Sequence, residues 1–219
     1  MDKLGLSGVA HGLRSLTVAR KVTGRVLTVQ LGPVHDAPPG PPASATPLSC
    51  RPEPAGPRHL ATAAIEAASR GDVIVLAAGG RLDAAAWGGV LSLAATLRGV
   101  GGVIIDGACR DVDSAVELGL PVYALAATPL TARGRHAEVA WNVPVPVAGV
   151  AVHPGDLVIA DGSGVVFLPA KHAARILDLA QEVAAAEDAM CVRIKKGEAV
   201  SRVLSADYER MLASDGGAS

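Results

Sequence analysis

Short apolar runs alternate along the chain with segments of helical periodicity, and this rhythm predicts a parallel sheet covered by helices. The runs are rich in β-branched residues, which pack well on pleated, buried surfaces. The segments between them repeat apolar residues at the spacing of one helix face. The predicted strands cover residues 22–31, 73–80, 99–106 and 121–126, and the predicted helices cover residues 59–69, 83–98 and 111–120. Strands this apolar, joined by helices, indicate an α/β fold with a sheet buried on both faces.

The pattern changes in the last third of the chain. Residues 145–169 are predicted to form three short strands separated by the turn sequences HPGD and DGSG. Proline presets φ in such turns, and glycine accepts a positive φ. Two carboxy-terminal helices are predicted to follow, over residues 170–197 and 201–212.

Residues 32–57 interrupt the pattern and contain nine of the fifteen prolines of the chain. Proline fixes φ and has no N–H group, so no regular helix or strand can run through this segment. We therefore predict a long loop, either a mobile insertion or a lid. A length of 219 residues fits one domain. The sequence thus predicts a single domain over residues 1–219 with the proline-rich loop at residues 32–57.

Composition excludes several classes of protein. The chain is 50% hydrophobic, only 2% aromatic and carries a net charge of −1. It therefore lacks the basic excess and the stacking side chains that nucleic-acid binding requires. No apolar run reaches the length of a membrane span, and the amino terminus has no signal-peptide pattern. Its three cysteines form no C-x-x-C motif. We expect a cytoplasmic protein with reduced thiols and neither nucleic acid nor membrane as partner.

The sequence GGVL, residues 88–91, is the first candidate for binding chemistry. If a helix begins here, its unpaired N–H groups and positive dipole end can bind a carboxylate or a phosphate, and glycine lets the ligand approach the backbone. Alternatively, Gly88 and Gly89 are small residues that pack under a neighbouring strand. The segment lacks the G-x-G-x-x-G spacing of a dinucleotide site. On these residues alone, substrate binding by Gly88, Gly89, Val90 and Leu91 and simple packing both remain open.

The second candidate is the end of VIIDGACRD, residues 103–111. Ligands of open α/β sheets bind at the carboxyl ends of strands, so Arg110 and the glycine turn are expected to face one pocket. Arg110 offers a planar fork to a carboxylate or an enolate oxygen. Asp111 offers a hard oxygen ligand for Mg²⁺, which commonly takes one or two carboxylates together with water and substrate. This combination predicts catalysis on a 2-oxo acid, whereas a surface ion pair or a helix N-cap is the alternative.

Other polar residues receive structural interpretations. Asp106 is predicted to be a structural residue at the end of its strand, and Cys109 a small packing residue. Asp161 is predicted to lie in a turn. Glu187 and Asp188 are, by their local pattern, the solvated face of a helix.

Two motifs are specific enough to indicate a family: D-G-x-x-R-D at residues 106–111, and V-x-P-G-D-L-V-x-A-D-x-x-G-V-V at residues 152–166. Over residues 2–31 and 71–204 the chain resembles the superfamily that contains 4-hydroxy-4-methyl-2-oxoglutarate aldolase and the regulator of ribonuclease E activity A. Some members carry an old label as demethylmenaquinone methyltransferases. The resemblance implies a layered β/β/α, swivelling-domain-like fold with carboxy-terminal helices, assembled as a homotrimer or homohexamer.

The same resemblance implies roles for individual residues. Arg110 would bind the keto or enolate oxygen of the substrate, Asp111 would ligate Mg²⁺ or Mn²⁺ directly, and the amides of residues 88–91 would bind the substrate carboxylate. Glu187 falls where the aldolases use an acidic residue of a neighbouring subunit to hold metal-bound water. Many aldolases have Asp or Glu at the position of Gly89, so this chain lacks one carboxylate near the metal.

The favoured function is a metal-dependent lyase of the class II aldolase or decarboxylase type. It would act on a 2-oxo acid by retro-aldol cleavage or oxaloacetate-type decarboxylation and release pyruvate. The alternatives are a non-catalytic regulator that binds a ribonuclease E-like partner, and a repurposed member that acts on a specialised metabolite. Arg110, Asp111 and Glu187 favour the lyase, because a pure binding protein does not need that set. A methyltransferase is the weakest hypothesis, since no glycine-rich nucleotide loop follows the first strand.

Overall fold

The structure is a computed structural model that describes residues 1–18, 20–34 and 59–204. It contains two compact parts. The larger part comprises residues 9–169, and the smaller part comprises residues 1–8 with the chain from residue 170 onward. Most of the predicted proline-rich loop, and the predicted second carboxy-terminal helix beyond residue 204, lie outside the described residues. The single domain over residues 1–219 stays a prediction.

The larger part is dominated by strands, nine of which form one sheet within the described residues. The strands are β1 (Val9–Ala10), β2 (Arg14–Ser15), β3 (Val22–Gly32), β4 (Val73–Trp87), β5 (Gly102–Cys109), β6 (Val122–Ala127), β7 (Ala137–Trp141), β8 (Val145–Val147), β9 (Val150–Val152), β10 (Leu157–Asp161) and β11 (Gly164–Leu168). The sheet order is β1-β11-β10-β3-β4-β5-β6-β2, with β7 also paired to β3, and β8 and β9 form a separate hairpin. Strands β3 to β6 are parallel neighbours, as the sequence predicts.

Helices connect the parallel strands. They are α1 (Thr62–Ala67), α2 (Gly89–Arg98) and α3 (Val112–Glu117), which follow β3, β4 and β5 respectively. The smaller part contains α4 (Ala173–Lys195) and α5 (Val200–Val203). None of the described helices is long and apolar enough to cross a membrane.

Alternate residues of the central strands enter two different hydrophobic cores. Leu76 and Ile105 pack with residues of α1 and α2 on one face of the sheet. Val75 and Ile104 pack on the other face with residues of the antiparallel strands, among them Phe167. Burial on both faces explains why these strands are almost continuously apolar in sequence. The result is a mixed α/β fold with layers of helices, sheet and further strands, which confirms the predicted fold class.

The prediction of a helix over residues 83–98 is wrong in its first part. Residues 83–87 belong to β4, and the helix begins only at Gly89. Alanines favour helices in isolation, but pairing within a buried sheet outweighs that small preference. Ala85 pairs with Ala108, and Trp87 pairs with Cys109. As a consequence, β4 and β5 both extend to the glycine turn and bring their carboxyl ends together.

The carboxy-terminal end of the larger part also differs from expectation. Residues 145–169 contain four strands rather than three, because Ala148 and Gly149 turn the chain between β8 and β9. Both residues have positive φ, at 46° and 86°. Strand β7 was not predicted from the sequence. It pairs with β3 through an irregular register between Gln30 and Leu31.

Candidate functional site

The first element of the site is the turn from β4 into α2. Gly88 is the N-cap residue in an extended conformation, and α2 begins at Gly89. The first helical hydrogen bond runs from the N–H of Ser92 to the carbonyl of Gly88, at 3.0 Å. The N–H groups of Gly89, Val90 and Leu91 precede that bond, so the helix itself supplies no acceptor for them. The helix start that the sequence left open is therefore present.

The second element is the end of β5, which lies directly beside this turn. The backbone N–H of Arg110 donates to the carbonyl of Trp87 at 3.0 Å. The N–H of Gly89 donates to Oδ2 of Asp111 at 2.9 Å. Two segments 22 residues apart in sequence thus meet through main-chain and side-chain hydrogen bonds. The structure brings the glycine turn, Arg110 and Asp111 together, as the position of both segments at carboxyl ends of parallel strands predicts.

Arg110 and Asp111 also contact each other. Nη1 of Arg110 lies 3.3 Å from Oδ1 and 3.2 Å from Oδ2 of Asp111. The two side chains are 38% and 35% exposed, respectively. These are long contacts from a single nitrogen, and both groups face solvent in part. The ion pair is therefore loose and leaves hydrogen-bonding capacity on both partners.

The backbone of Asp111 is left-handed, with φ 55° and ψ 42°. It occupies the N-cap position of α3, yet its side chain makes no cap hydrogen bond to that helix. The carboxylate instead accepts the N–H of Gly89 at the start of α2. Asp111 is thus the N-cap residue of α3 by position, but its side chain does not cap the helix, because it turns toward the glycine turn.

The two glycines of the turn differ in what a side chain would meet. A Cβ on Gly88 would lie 3.0 Å from both Nε of Arg110 and Oδ2 of Asp111, which is closer than ordinary contact. A Cβ on Gly89 would lie 3.4 Å from Asp111 and 3.6 Å from Cβ of Ser114, which is ordinary contact. Gly88 is therefore small because Arg110 and Asp111 approach its backbone, whereas position 89 has room for a side chain.

Buried polar residues that the sequence analysis did not select support the turn. Nε1 of Trp87 donates to Oγ of Ser92 at 2.9 Å, across Gly88 and Gly89. Both side chains are almost completely buried. The sequence signal was a tryptophan and a serine five residues apart around a glycine pair, in a segment otherwise composed of alanine, leucine and valine.

The structure also locates Cys109, Asp106 and Asp161, the residues that the sequence analysis interpreted as structural. Cys109 is fully buried in the helix-side core, as predicted. Burial raises the pKa of its thiol to about 12, and the Asp111 charge adds to this effect while Arg110 opposes it. Asp106 is buried within β5 opposite Ala77 rather than at the strand end, because β5 runs on to Cys109. Asp161 accepts the N–H of Ser163 in the turn after β10.

Glu187 and Asp188 lie on α4 and are exposed. They belong to the smaller compact part, whereas Arg110 and Asp111 belong to the larger one. Exposure agrees with the simple interpretation of a solvated helix face. The role that the family resemblance implies for Glu187 stays a prediction.

The donor set at Asp111 fits a hard divalent cation. Within the described ranges, no group of three or more His, Cys, Asp or Glu side chains is placed to hold a metal. A site at Asp111 would therefore use one protein carboxylate, and Mg²⁺ commonly binds through one or two carboxylates while keeping its waters. The carboxylate is partly exposed, and its Oδ1 has only a long contact to Arg110. Asp111 thus has the chemistry of a Mg²⁺ or Mn²⁺ ligand beside the arginine, and its role as a metal ligand stays a prediction.

Solved structures share this architecture. An uncharacterized protein from Pseudomonas syringae pv. tomato aligns with a TM-score of 0.77 and 27% identity, over 93% of this chain and 88% of that one. A Streptomyces coelicolor protein, described as an unusual member of the RNase ES inhibitor RraA protein family, aligns with a TM-score of 0.68 and 29% identity, over 85% of both chains.

Curated relatives are similar over a shorter segment. A 4-hydroxy-4-methyl-2-oxoglutarate aldolase of Thermus thermophilus is 39% identical over 106 residues, which are 48% of this chain and 63% of the relative. An uncharacterized protein of Methanocaldococcus jannaschii is 35% identical over 127 residues, which are 58% of this chain and 60% of the relative. The chain thus spans less than two thirds of the length of these relatives. The family model RraA-like (Aldolase/RraA) matches residues 1–167, so the chain belongs to the RraA-like family.

Proposed function

We propose that this protein is a divalent-metal-dependent lyase that acts on a 2-oxo acid. The observation that carries the proposal is the convergence of an arginine, an aspartate and a helix amino end: Asp111 lies 2.9 Å from the N–H of Gly89 and 3.2 Å from Arg110. Retro-aldol cleavage and oxaloacetate-type decarboxylation both break a bond β to a ketone and leave an enolate. Both therefore need an anion site beside a group that stabilises the enolate oxygen.

Arg110 is assigned to the substrate oxygen. Among the described residues its side chain hydrogen-bonds only to Asp111, and through Nη1 alone. The remaining guanidinium nitrogens are free to donate to a keto oxygen. Since negative charge grows on that oxygen as the enolate forms, a fixed cation there lowers the energy of the transition state more than that of the ground state.

The start of α2 is assigned to the substrate carboxylate. The N–H of Gly89 already serves Asp111, so Val90 and Leu91 supply the amides for this role. Helix N–H groups and the positive end of the helix dipole bind a carboxylate without a charged side chain. A 2-oxo acid bound there by its carboxylate would direct its keto oxygen toward Arg110.

Asp111 is assigned as the protein ligand of Mg²⁺ or Mn²⁺. When bound, such a cation supplies Lewis-acid stabilisation of negative charge on the substrate oxygens. The hydrogen bond from the N–H of Gly89 holds the carboxylate of Asp111 toward the glycine turn. Glu187, by the family resemblance, would add an acidic group from a neighbouring subunit of a homotrimer or homohexamer.

The test is a pyruvate-release assay with several 2-oxo acids, including oxaloacetate and 4-hydroxy-4-methyl-2-oxoglutarate, with and without Mg²⁺. We expect release that depends on the cation and is lost in Arg110→Ala. Arg25→Ala is the matched control, because Arg25 forms an ion pair in the larger part without contacting the site residues. Release that persists in Arg110→Ala would contradict the proposal.

The shared site has its own test. Asp111→Ala and Glu187→Ala are each expected to be inactive, but co-refolding them at equal amounts should restore activity. In a ring with head-to-tail interfaces, about a quarter of the sites would then be intact. Mixed oligomers, verified by mass spectrometry, that remain inactive would rule out a site completed by Glu187 across the interface.

A regulatory function is the second candidate. The structural similarity to an RNase ES inhibitor family member supports it. A regulator would slow RNA cleavage by a ribonuclease E-type enzyme in a purified assay, and Arg110→Ala would leave that effect unchanged. A lyase without regulatory action would release pyruvate and have no effect on the nuclease.

A further inference from the structure

A buried polar network lies directly beneath the candidate site. Trp87 and Ser92 are 2% and 1% exposed, which makes their hydrogen bonds strongly constrained. Nε1 of Trp87 donates to Oγ of Ser92 at 2.9 Å, and Oγ of Ser92 donates to the carbonyl of Gly88 at 3.1 Å. The N–H of Ser92 donates to the same carbonyl at 3.0 Å. The carbonyl of Gly88 therefore accepts two hydrogen bonds from a single residue.

The direction of the chain of hydrogen bonds is fixed by chemistry. An indole N–H can only donate, so the hydroxyl of Ser92 accepts from Trp87 and uses its own proton for Gly88. No rotation of the hydroxyl preserves both bonds in another arrangement. The two donors of Ser92 occupy both lone pairs of the Gly88 carbonyl and hold that oxygen toward the interior.

Peptide geometry carries this constraint to the site. The carbonyl of Gly88 and the N–H of Gly89 belong to one planar, trans peptide unit, in which they point in opposite directions. Because Ser92 holds the carbonyl inward, the N–H of Gly89 is directed outward. That N–H donates to Oδ2 of Asp111 at 2.9 Å. The N–H and the buried hydroxyl of Ser92 thus together direct a hydrogen bond at the proposed metal ligand, and the hydroxyl is the donor that a substitution can remove.

Trp87 connects to the other site residue as well. Its carbonyl accepts the backbone N–H of Arg110 at 3.0 Å. The indole side chain of the same residue ends on Ser92. The Cys109–Arg110 peptide is therefore bonded to the main chain of one buried tryptophan, and the Gly88–Gly89 peptide is connected through Ser92 to the side chain of the same residue.

We propose that Ser92, held by the indole of Trp87, is a positioning residue that orients the Gly88–Gly89 peptide and thereby the carboxylate of Asp111. The catalytic consequence rests on the proposed function. The hydrogen bond from Gly89 to Asp111 does not depend on the proposed function, so it can be measured separately from activity. A purely structural role predicts that the network only satisfies polar groups in the core.

The experiment compares Ser92→Ala with the double variant Ser92→Ala/Trp87→Phe. Ser92→Ala leaves the indole N–H buried without a partner and is expected to lower the melting temperature. The double variant removes both partners of that bond, so much of the stability is expected to return. In both variants the Gly88 carbonyl loses the hydroxyl donor, and a positioning role predicts that the Gly89 amide stays perturbed.

The main readout is the amide of Gly89 in a ¹⁵N-labelled sample, followed by its proton chemical shift and its hydrogen exchange. We expect an upfield shift and faster exchange in Ser92→Ala and in the double variant. The activity readout is kcat/KM for pyruvate release, expected to fall about tenfold in both, in the range seen when groups that orient metal ligands are removed.

Thr96→Ala is the matched control. Its hydroxyl donates to the carbonyl of Ser92 at 2.8 Å, an equivalent bond one turn further along α2 that does not reach Gly88. We expect this variant to leave the Gly89 amide and the activity unchanged. A wild-type Gly89 amide in either Ser92 variant would overturn the proposal. If the wild-type protein released no pyruvate, the proposed function would fail, and the amide measurement would still decide the positioning role.

Discussion

Two of the Arg–Asp pairs in the described residues of the larger part, Arg25–Asp72 and Arg110–Asp111, differ in almost every respect. Arg25 binds Asp72 through two nitrogens, with Nε 3.1 Å from Oδ1 and Nη2 2.7 Å from Oδ2. Asp72 also accepts the N–H of Ser69 at 2.8 Å, and its side chain is only 7% exposed. Arg110 reaches Asp111 through one nitrogen at 3.2 Å or more, and both side chains are partly exposed.

The difference indicates what each pair does. Asp72 precedes β4 and ties the amino ends of β3 and β4 together, and its carboxylate has used both oxygens for protein donors. The Asp111 pair lies at the opposite, carboxyl ends of the parallel strands. There the geometry is looser and keeps lone pairs and N–H groups available. A saturated pair stabilises the fold, whereas an unsaturated one can bind a ligand.

The largest expected effect on pyruvate release comes from removing the divalent cation that Asp111 is proposed to bind. Exhaustive treatment with EDTA is expected to abolish pyruvate release, and Mg²⁺ or Mn²⁺ should restore it, because a site with a single protein carboxylate binds its cation weakly. The measurement is the rate before chelation, after it and after metal addition. Full activity after chelation would contradict a metal at Asp111. The Arg110–Asp111 pair would then, like Arg25–Asp72, have no role in binding a cation.

The second effect separates the two arginines. Arg110→Lys is expected to lower kcat/KM by about 10²-fold or more, with a loss in kcat as well, since lysine is a point charge that cannot replace a planar fork. Arg25→Lys should leave the kinetics unchanged and lower the melting temperature by a few degrees. Steady-state kinetics and thermal melts of both variants provide the test. A near-normal kcat in Arg110→Lys would reduce Arg110 to a surface residue.

The third effect concerns the space around Asp111. Gly88→Ala places a Cβ 3.0 Å from Arg110 and Asp111, so these side chains have to move, and we expect kcat/KM to fall about tenfold. Gly89→Ala places its Cβ in ordinary contact and should cost less than threefold. Kinetics of the two alanine variants side by side check this order. Equal losses would show that the close approach at Gly88 has no functional consequence.

The smallest effect is on the pH dependence of stability. Burial raises the pKa of Asp72, but the hydrogen bonds from Arg25 and Ser69 and the Arg25 charge outweigh it, so the pKa lies below its ordinary value of 3.8. A carboxyl with a lowered folded-state pKa stabilises the protein above its unfolded pKa. That stabilisation is lost as the pH falls through the folded value.

Asp72→Asn is therefore expected to melt about 2–4 °C below the wild type at pH 7. The gap should narrow as the pH falls below about 4, because the unfolded chain, whose Asp72 has the ordinary pKa, then takes up a proton before the folded wild type does. Thermal melts between pH 7 and pH 3 measure it. A gap of constant size across that range would show that Asp72 acts through its shape rather than its charge.

Much of the fold followed from the sequence because its signals are local. Apolar strands buried on both faces and glycine-bounded helices predicted β3 to β6 and the connecting helices. The rule that ligands lie at carboxyl strand ends predicted that residues 88–89 and 110–111 meet. The alanines of residues 83–87 misled the prediction, since their helix preference is smaller than the energy of pairing with β5.

The finer arrangement of the site depends on register, which the sequence does not display. The bond from Gly89 to Asp111 requires Trp87 to pair with Cys109, and that pairing follows several register shifts between β4 and β5. The contact between Trp87 and Ser92 also depends on tertiary structure. Their side chains meet because β4 ends at Trp87 and α2 begins at Gly89. Such contacts are set by tertiary packing and not by local preference.

The left-handed backbone of Asp111 has a consequence for selection experiments. A residue with φ of 55° has a backbone conformation that glycine adopts with less strain. The difference in strain energy is about 1 kcal/mol. Random mutagenesis followed by a screen for heat resistance alone should therefore enrich glycine at position 111, at the expense of any activity that needs the carboxylate. In a library selected for heat resistance without substrate, enrichment of glycine at position 111 would mark a residue whose replacement raises stability and removes activity.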